Sequence, residues 1–201
     1  MSLPASQLKS EVVAFKRRRI LEVSAHLFFE QGYERTTLDD IARQLQVTKP
    51  YIYSYFQNKV DILFEICQTG IRKSLEVLDA ALNLKASPMV RLKSAIEKVA
   101  HTVIEKRKYV VVYMREEKNL PQDDAQKILE QRRVFDHRIT ELLDEGILAG
   151  EFSMPDKLVT ATTIGGIVSW LPNWYIATGH LTESEVIAST VKLVEKMLRP
   201  E

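Results

Sequence analysis

The sequence predicts an all-α protein of about nine helices, because three of its features favour helices over strands. Only 7 glycines and 7 prolines interrupt the 201 residues. Few segments alternate apolar and polar residues with the two-residue period of a strand. Apolar residues instead recur at the i, i+3, i+4, i+7 spacing of an amphipathic helix. The composition is 45% hydrophobic, so the chain has enough apolar surface to bury a core.

The first predicted helix covers residues 20–31 and follows a basic cluster at residues 16–19. Within this cluster, Arg17 and Arg18 are placed to reach the phosphate groups of a nucleic acid from the flank. The alternative for the cluster is a solvated run of charge. The first ten residues show little apolar periodicity and contain Pro4, so they predict a mobile arm before the helix.

Residues 37–59 predict a helix-turn-helix segment. Thr37 is the predicted N-cap of the first helix, whose apolar face consists of Leu38, Ile41, Ala42 and Leu45. Gln46 and Val47 form the predicted turn. Thr48 is the next N-cap, and Pro50 is tolerated because it lies in the first turn of the following helix.

The second helix of this segment is rich in tyrosine. Its predicted inward face consists of Ile52, Tyr53 and Phe56, and its predicted outward face of Lys49, Tyr51 and Ser54. Outward tyrosine and serine side chains beside capped backbone N–H groups suit contact with the base edges and phosphates of DNA. Asn58 caps a further helix, and Lys59 at its start is placed for a phosphate.

These positions predict two groups of contacts with double-stranded DNA. The residues predicted to hold phosphates are Thr37, Tyr53 and Lys59. The residues predicted to lie nearest the bases are Thr48, Pro50 and Tyr51, with Lys49 beside them. The alternative is a pair of core-packing helices without a nucleic-acid partner, since many buried helix pairs fit the same pattern.

The rest of the chain predicts six further helices. Their expected bounds are 60–84, 87–106, 109–118, 122–149, 156–178 and 182–198. The last begins with Thr182 and has Glu185 three residues later, which is the spacing of a capping box. The sequence therefore predicts an N-terminal three-helix helix-turn-helix domain, residues 1–60, and a helical ligand-binding and dimerisation domain, residues 61–201.

The last two helices are apolar on more than one face. Residues such as Val159, Ile167 and Trp174 cannot all face one intramolecular core, and Val191 and Met197 add to this excess. A surplus apolar face on paired helices predicts a four-helix seam between two copies of the chain. A homodimer would also allow two small recognition helices to bind a palindrome.

The uneven charge is typical of a basic DNA-facing end on a neutral body, and the cysteine content favours a cytoplasmic protein. The formal net charge is only +1, but residues 1–60 carry 9 Lys and Arg against 6 Asp and Glu. No signal-peptide pattern is present, and no apolar run approaches the ~20 residues that span a bilayer, so no membrane partner is expected. The single cysteine, Cys67, fits a reducing compartment, and its apolar neighbours predict a core position.

Four residues in the predicted helical body are candidates for binding a small molecule. Trp170 and Trp174 share one helix face, with Pro172 between them, and Tyr113 and Arg115 lie on a short apolar helix. A buried arginine there would favour an anionic group. The alternatives are that the tryptophans form core or dimer contacts, and that Arg115 pairs with a nearby acid such as Glu117.

The run VTKPYIYSYFQNKVDIL resembles the recognition helix and following junction of the TetR family of bacterial transcriptional repressors, and the similarity extends over residues 16–66. The resemblance implies a dimeric repressor that binds DNA and carries a small-molecule pocket in its helical body. Two positions depart from the family pattern. Gln46 replaces the usual turn glycine, which predicts a strained turn, and Ser54 replaces an aromatic residue or histidine, which predicts one backbone contact fewer.

The C-terminal half also resembles one group within that family. Arg133, the segment 145–152 and the segment 170–182 are similar to regulators of fatty-acid, sterol or aromatic-acid catabolism. This resemblance implies an acyl-CoA effector, with an apolar tunnel for the acyl chain and cations for the phosphates. A free fatty acid or a planar hydrophobic drug remains an alternative effector.

No catalytic motif is present, so we expect neither an enzyme nor a bound cofactor. The alternative is a helical metal-dependent enzyme, but its paired Glu-x-x-His ligands are missing. The pairs Glu22/His26 and Glu97/His101 have a spacing of i, i+4 instead. A helical interaction module that never contacts DNA is a further alternative.

Overall fold

The computed structural model describes residues 5–198, and these form nine α-helices without a strand. The all-α prediction and the predicted number of helices are therefore confirmed. The bounds are α1 Ala5–Gln31, α2 Leu38–Leu45, α3 Lys49–Tyr53, α4 Lys59–Leu82, α5 Pro88–Glu105, α6 Arg107–Glu116, α7 Gln122–Leu148, α8 Lys157–Trp174 and α9 Glu183–Leu198. A 3₁₀ turn, Glu117–Asn119, joins α6 to α7.

Side-chain caps explain where several helices begin. The side chains of Thr37 and Asn58 accept hydrogen bonds from the backbone N–H groups at the starts of α2 and α4. Asp156 does the same for α8, where its Oδ1 accepts from Val159 N at 2.8 Å. The capping box predicted between Thr182 and Glu185 is present at the start of α9.

Helix α1 is longer than the sequence predicted. It begins by Ala5 and not at residue 20, and residues 1–4 of the predicted arm lie outside the described residues. After Pro4 no glycine or proline occurs until Gly32, so nothing interrupts the helix. The basic cluster at residues 16–19 is consequently part of α1 and does not precede the first helix.

Helix α8 ends earlier than predicted, at Trp174 instead of residue 178. Pro172 lies in its last turn and lacks the N–H that would continue the hydrogen-bond pattern. The carbonyl of Pro172 accepts a hydrogen bond from Arg107 Nε at 2.8 Å, which ties the end of α8 to the start of α6.

Two buried cores divide the molecule. The first joins α1–α3 to the beginning of α4 around Phe28, Ile41 and Ile52, and it extends onto Val112 of α6 and Ile128 of α7. The second lies among α4, α5, α6, α7, α8 and α9. The division that we propose at residue 60 falls at the start of α4, and α4 contributes side chains to both cores.

Candidate nucleic-acid interface and effector cavity

The turn between α2 and α3 has the strained conformation that Gln46 predicts. Gln46 has φ +57° and ψ +41°, the left-handed region that glycine adopts at little cost. The N–H of the next residue, Val47, donates to Ala42 O at 3.0 Å, and the Val47 side chain packs partly buried against the first core. The close turn holds α3 at a fixed angle to α2.

We expect the Gln46→Gly variant to be more stable than the unmodified protein by about 1 kcal/mol, because glycine removes the Cβ clash of the left-handed conformation. The measurement is the urea midpoint of unfolding. Gln44→Gly is the matched control, since it lies exposed inside α2 and should lose about 1 kcal/mol. Equal shifts for the two variants would contradict the explanation.

Helix α3 presents a different tyrosine to solvent from the one predicted. Tyr53 is 50% exposed, so its assignment to the inward face is wrong. Tyr51 is half-buried, with its ring 5.2 Å from the Tyr55 ring and 5.9 Å from the Lys16 ammonium. Helix α3 is short, and the turn after Tyr53 redirects the chain so that Phe56 fills the core without Tyr53.

The other predicted contact residues surround the exposed side of α3. Thr48 and Pro50 are exposed at its N-terminus, and the Thr48 hydroxyl makes no capping hydrogen bond. Lys49 Nζ lies 2.9 Å from Asp39 Oδ2, which links α3 to α2. Thr37 Oγ1 lies 2.7 Å from Asp40 Oδ2 within the α2 capping box, and its residue is exposed.

The capping box also favours the ionised form of the Asp40 carboxylate. Hydrogen bonds from the Thr37 side chain and backbone lower the pKa of Asp40. The carboxylate thus stays ionised at the N-terminus of α2, where its negative charge suits the helix dipole.

Arg17 does not extend toward a flanking phosphate, contrary to the prediction. Its guanidinium donates to the Tyr55 carbonyl, lies 2.8 Å from Glu65 Oε1 and stacks 4.3 Å from the centre of the Phe56 ring. An arginine with these three contacts joins α1 to the end of α3 and to α4, and its positive charge is already paired.

Arg18 leaves 66% of its side chain exposed. Its Nε lies 3.9 Å from Glu22 Oε1, and its side chain lines a groove between α1 and α6. Its contact with a flanking phosphate stays a prediction. Lys16 is the cation of this cluster that lies over the recognition helix.

Lys59 contacts backbone carbonyls of its own domain, where a phosphate was predicted. Its Nζ donates to the carbonyls of Tyr33 and Thr36, each at 3.0 Å, and lies 4.2 Å from the centre of the Tyr33 ring. A third, longer contact of 3.5 Å reaches Glu34 O. These contacts use the ammonium donors, so Lys59 fixes the α1–α2 loop on α4.

A cavity of about 330 Å³ lies in the helical body between α4, α5, α6, α7 and α8. Its apolar wall includes Ile71, Val99, Val103, Val110, Phe135 and Val168. Cys67 also lines it, and burial raises the pKa of this thiol to about 12. The thiol is therefore protonated at neutral pH and acts as an apolar core group.

One side of the cavity is polar. Arg132 Nη1 donates to Tyr113 Oη at 3.2 Å, and Glu117 and Asp136 complete this polar wall. Burial raises the pKa of Asp136, while the positive charge of Arg132 opposes that rise. Tyr113, which was predicted to bind a ligand, thus lines the cavity. Arg132 also lines it but was not predicted, because it belongs to a charged run on α7.

Arg115 lies outside the cavity and makes neither of its two predicted interactions. It is exposed, donates to Phe29 O at 3.3 Å and stacks 5.4 Å from the centre of the Phe29 ring. On α6, positions 113 and 115 point to different sides, so Tyr113 faces the cavity while Arg115 faces α1. Its neighbour Glu116 accepts a hydrogen bond from Tyr33 N at 3.3 Å.

Trp170 and Trp174 also lie outside the cavity, contrary to the ligand-binding prediction. Trp170 is 58% exposed and Trp174 is 50% exposed, both on the outer side of α8. The cavity is lined instead by Gly165, Gly166 and Ser169 of the same helix. The alternative that the sequence left open, a contact between two copies of the chain, fits this exposure.

A second, open groove of about 790 Å³ separates α1 and α4 from the α5–α6 junction. Seven cations line it, Arg17, Arg18, Arg72, Lys73, Lys106, Arg107 and Lys108, against three glutamates. The groove therefore has a positive balance of charge. Within residues 5–198, no group of three metal-binding side chains converges, and no helix is long and apolar enough to cross a membrane.

Two family models match the chain. The model described as "Bacterial regulatory proteins, tetR family" matches residues 20–66, which contain α2, α3 and most of their supporting core. The model described as "Tetracyclin repressor-like, C-terminal domain" matches residues 85–198.

Individual proteins show the same similarity along most of the chain. The transcriptional regulator HbdR of Aromatoleum sp. (strain CIB) is 28% identical over 191 residues, which cover 94% of this chain and 83% of HbdR. The structure of PfmR from Thermus thermophilus has a TM-score of 0.83 and 26% identity, covering 90% of this chain and 100% of that one. The structure of AibR with isovaleryl coenzyme A and operator DNA has a TM-score of 0.79 and 26% identity, covering 89% and 97%.

Proposed function

The chain belongs to the TetR family of bacterial transcriptional regulators, and we propose that it is a homodimeric repressor of a palindromic operator. A small hydrophobic or acyl-CoA-type effector in the α4–α8 cavity would release it from DNA. The observation that supports DNA binding most strongly is the exposed side of α3, where Thr48, Pro50 and Tyr53 are accessible on a helix held by the close turn at Gln46.

We assign the DNA contacts as follows. Thr48, Pro50 and Tyr51 lie nearest the bases, and Thr37, Lys49 and Tyr53 hold the phosphates. Lys16 is added to the residues that bind phosphates, because its ammonium lies over the Tyr51 ring, and the exposed Arg18 keeps the phosphate role predicted for it. Arg17 and Lys59 make contacts within the domain and support its fold. A protein that binds chromosomal DNA acts in the cytoplasm of a bacterium.

Dimer formation through α8 and α9 is supported by apolar residues left in solvent. Trp170 and Trp174 on α8 are exposed, as are Leu193 and Met197 on α9. Large apolar side chains that gather on neighbouring helices mark an interface between proteins. An isologous pair would place two α3 helices about one turn of DNA, ~34 Å, apart.

The effector proposal rests on the cavity and on its link to the DNA-binding domain. The cavity has an apolar wall that suits an acyl chain, and AibR is a structural relative that binds isovaleryl coenzyme A. Helix α6 lines the cavity with Tyr113, and its last turn contacts the end of α1 through Arg115 and Glu116. A ligand that displaces α6 would therefore shift the N-terminal domain, and release follows if the ligand prefers that arrangement.

The assignment of tyrosines is tested by comparing Tyr51→Ala with Tyr53→Ala on a panel of operator variants. We expect Tyr51→Ala to lose about 1–3 kcal/mol of discrimination at its own base pair. Tyr53→Ala should weaken binding to all sequences alike, since it removes a phosphate contact. Fluorescence anisotropy at one fixed salt concentration measures both profiles, and indistinguishable profiles would overturn the assignment.

A further inference from the structure

The polar wall of the cavity carries more negative than positive charge. Among the described residues that line it, one guanidinium, that of Arg132, is accompanied by the two carboxylates of Glu117 and Asp136. Arg132 donates to the Tyr113 hydroxyl and interacts electrostatically with both carboxylates. An entering anion therefore meets one guanidinium and two carboxylates at this wall.

The two carboxylates differ in their hydrogen bonding. Glu117 interacts with the Tyr113 hydroxyl, whereas the Asp136 carboxylate accepts no hydrogen bond from a described residue. A Cβ on Gly165 would stand 3.4 Å from Asp136 Oδ1, so the absence of a side chain there leaves this oxygen open to the cavity. A half-buried carboxylate without a donor favours a ligand that supplies one.

We propose that the cavity selects an uncharged ligand group that donates a hydrogen bond, and that Glu117 and Asp136 exclude a free carboxylate. A carboxylate placed at this wall would bring a third negative charge beside a single guanidinium, and like charges in a partly desolvated site repel strongly. A carboxamide, an amide N–H or a hydroxyl of the same size would donate to Asp136 and accept from Tyr113 or Arg132. This inference rests on the proposed role of the cavity as the effector site.

Such a wall discriminates between two effectors that the sequence left open. A free fatty acid carries the carboxylate that this wall disfavours. An acyl group in ester or amide linkage carries no charge at that position, and the amide N–H groups near the thioester of an acyl-CoA are donors. Glu117 and Asp136 are therefore specificity-determining residues of the cavity.

The test compares octanoate with octanamide, which have nearly the same shape but differ in charge. Isothermal titration calorimetry at about pH 8 keeps Asp136 ionised despite its raised pKa. We expect octanamide to bind about tenfold more tightly than octanoate, or better. The Glu117→Gln/Asp136→Asn variant should bind octanoate about tenfold more tightly than the unmodified protein does. If the double variant does not fold, Asp136→Asn alone should still bind octanoate more tightly than the unmodified protein does.

Glu141→Gln is the matched control, because Glu141 is an exposed carboxylate of α7 that does not line the cavity. It should leave both affinities unchanged. Octanoate binding as tightly as octanamide, or a failure of both ligands to bind, would overturn the inference. The proposed effector role of the cavity is tested separately. If octanamide binds more tightly than octanoate but does not change the affinity of the protein for its operator, the effector role is contradicted and the selectivity of the cavity still holds.

Discussion

Replacement of both Trp170 and Trp174 by glutamate is expected to convert the protein to a monomer and to abolish operator binding at concentrations where the unmodified protein binds. On α8, Trp170 is more than half exposed and Trp174 is half exposed. Burial of one tryptophan side chain removes ~150–250 Å² of surface from water. Central interface tryptophans contribute about 2 kcal/mol or more each. A two-fold interface contains every residue twice, so the loss is doubled.

Sedimentation equilibrium measures the dimer dissociation constant, and we expect it to rise by at least about 1,000-fold. Val90→Glu is the matched control. Val90 is 51% exposed, but it lies on α5 outside the proposed seam, so its replacement should leave the dimer intact. A Trp170/Trp174 variant that remains dimeric would show that α8 does not form the interface.

Gly146→Ala is expected to destabilise the fold by about 3 kcal/mol, the upper part of the range for overpacked cores. A Cβ at this position would overlap the ring of Phe152, which is buried where the chain turns back after α7. Because the Phe152 N–H also donates to the carbonyl of Gly146 at 3.1 Å, the ring cannot move without disturbing the turn. In a thermal scan, the midpoint should fall by roughly 10 °C.

The Gly146→Ala/Phe152→Leu variant isolates the cause of that loss. Leucine is smaller than phenylalanine, so it relieves the overlap, and the double variant should be more stable than Gly146→Ala alone. Such non-additivity is the signature of two residues in direct contact. Additive losses would mean that Gly146 matters for another reason, such as its backbone conformation.

The helices were predictable because local signals mark their ends. The capping residues at Thr37, Asn58 and Thr182 and the break at residues 119–121 are visible in the sequence, and the observed bounds of most helices lie within a few residues of the predicted ones. The α1 extension was missed although Leu8, Val12 and Phe15 recur at the i, i+4, i+7 spacing of a helix. These side chains are about half exposed, so they belong to neither buried core.

The partners of individual cations were not predictable. Lys59 and Arg115 were expected to meet anions, and each instead contacts backbone carbonyls and an aromatic ring. Arg17 was expected to meet a phosphate and instead pairs with Glu65, which is distant in sequence. A backbone carbonyl at a helix end can accept a hydrogen bond from arginine or lysine, and every residue type has such a carbonyl, so the sequence does not show which one is used. The same limit hid Arg132, whose position beside Tyr113 depends on how α6 packs against α7.

We propose that a dimer of this chain recognises a specific palindrome through α3. Selection of bound sequences from a random DNA library, with the purified protein at near-physiological salt, tests this proposal. We expect enrichment of one palindrome whose half-sites lie about one helical turn, ~34 Å, apart. Recovery of no motif, with binding that depends only on salt concentration, would contradict sequence recognition by α3.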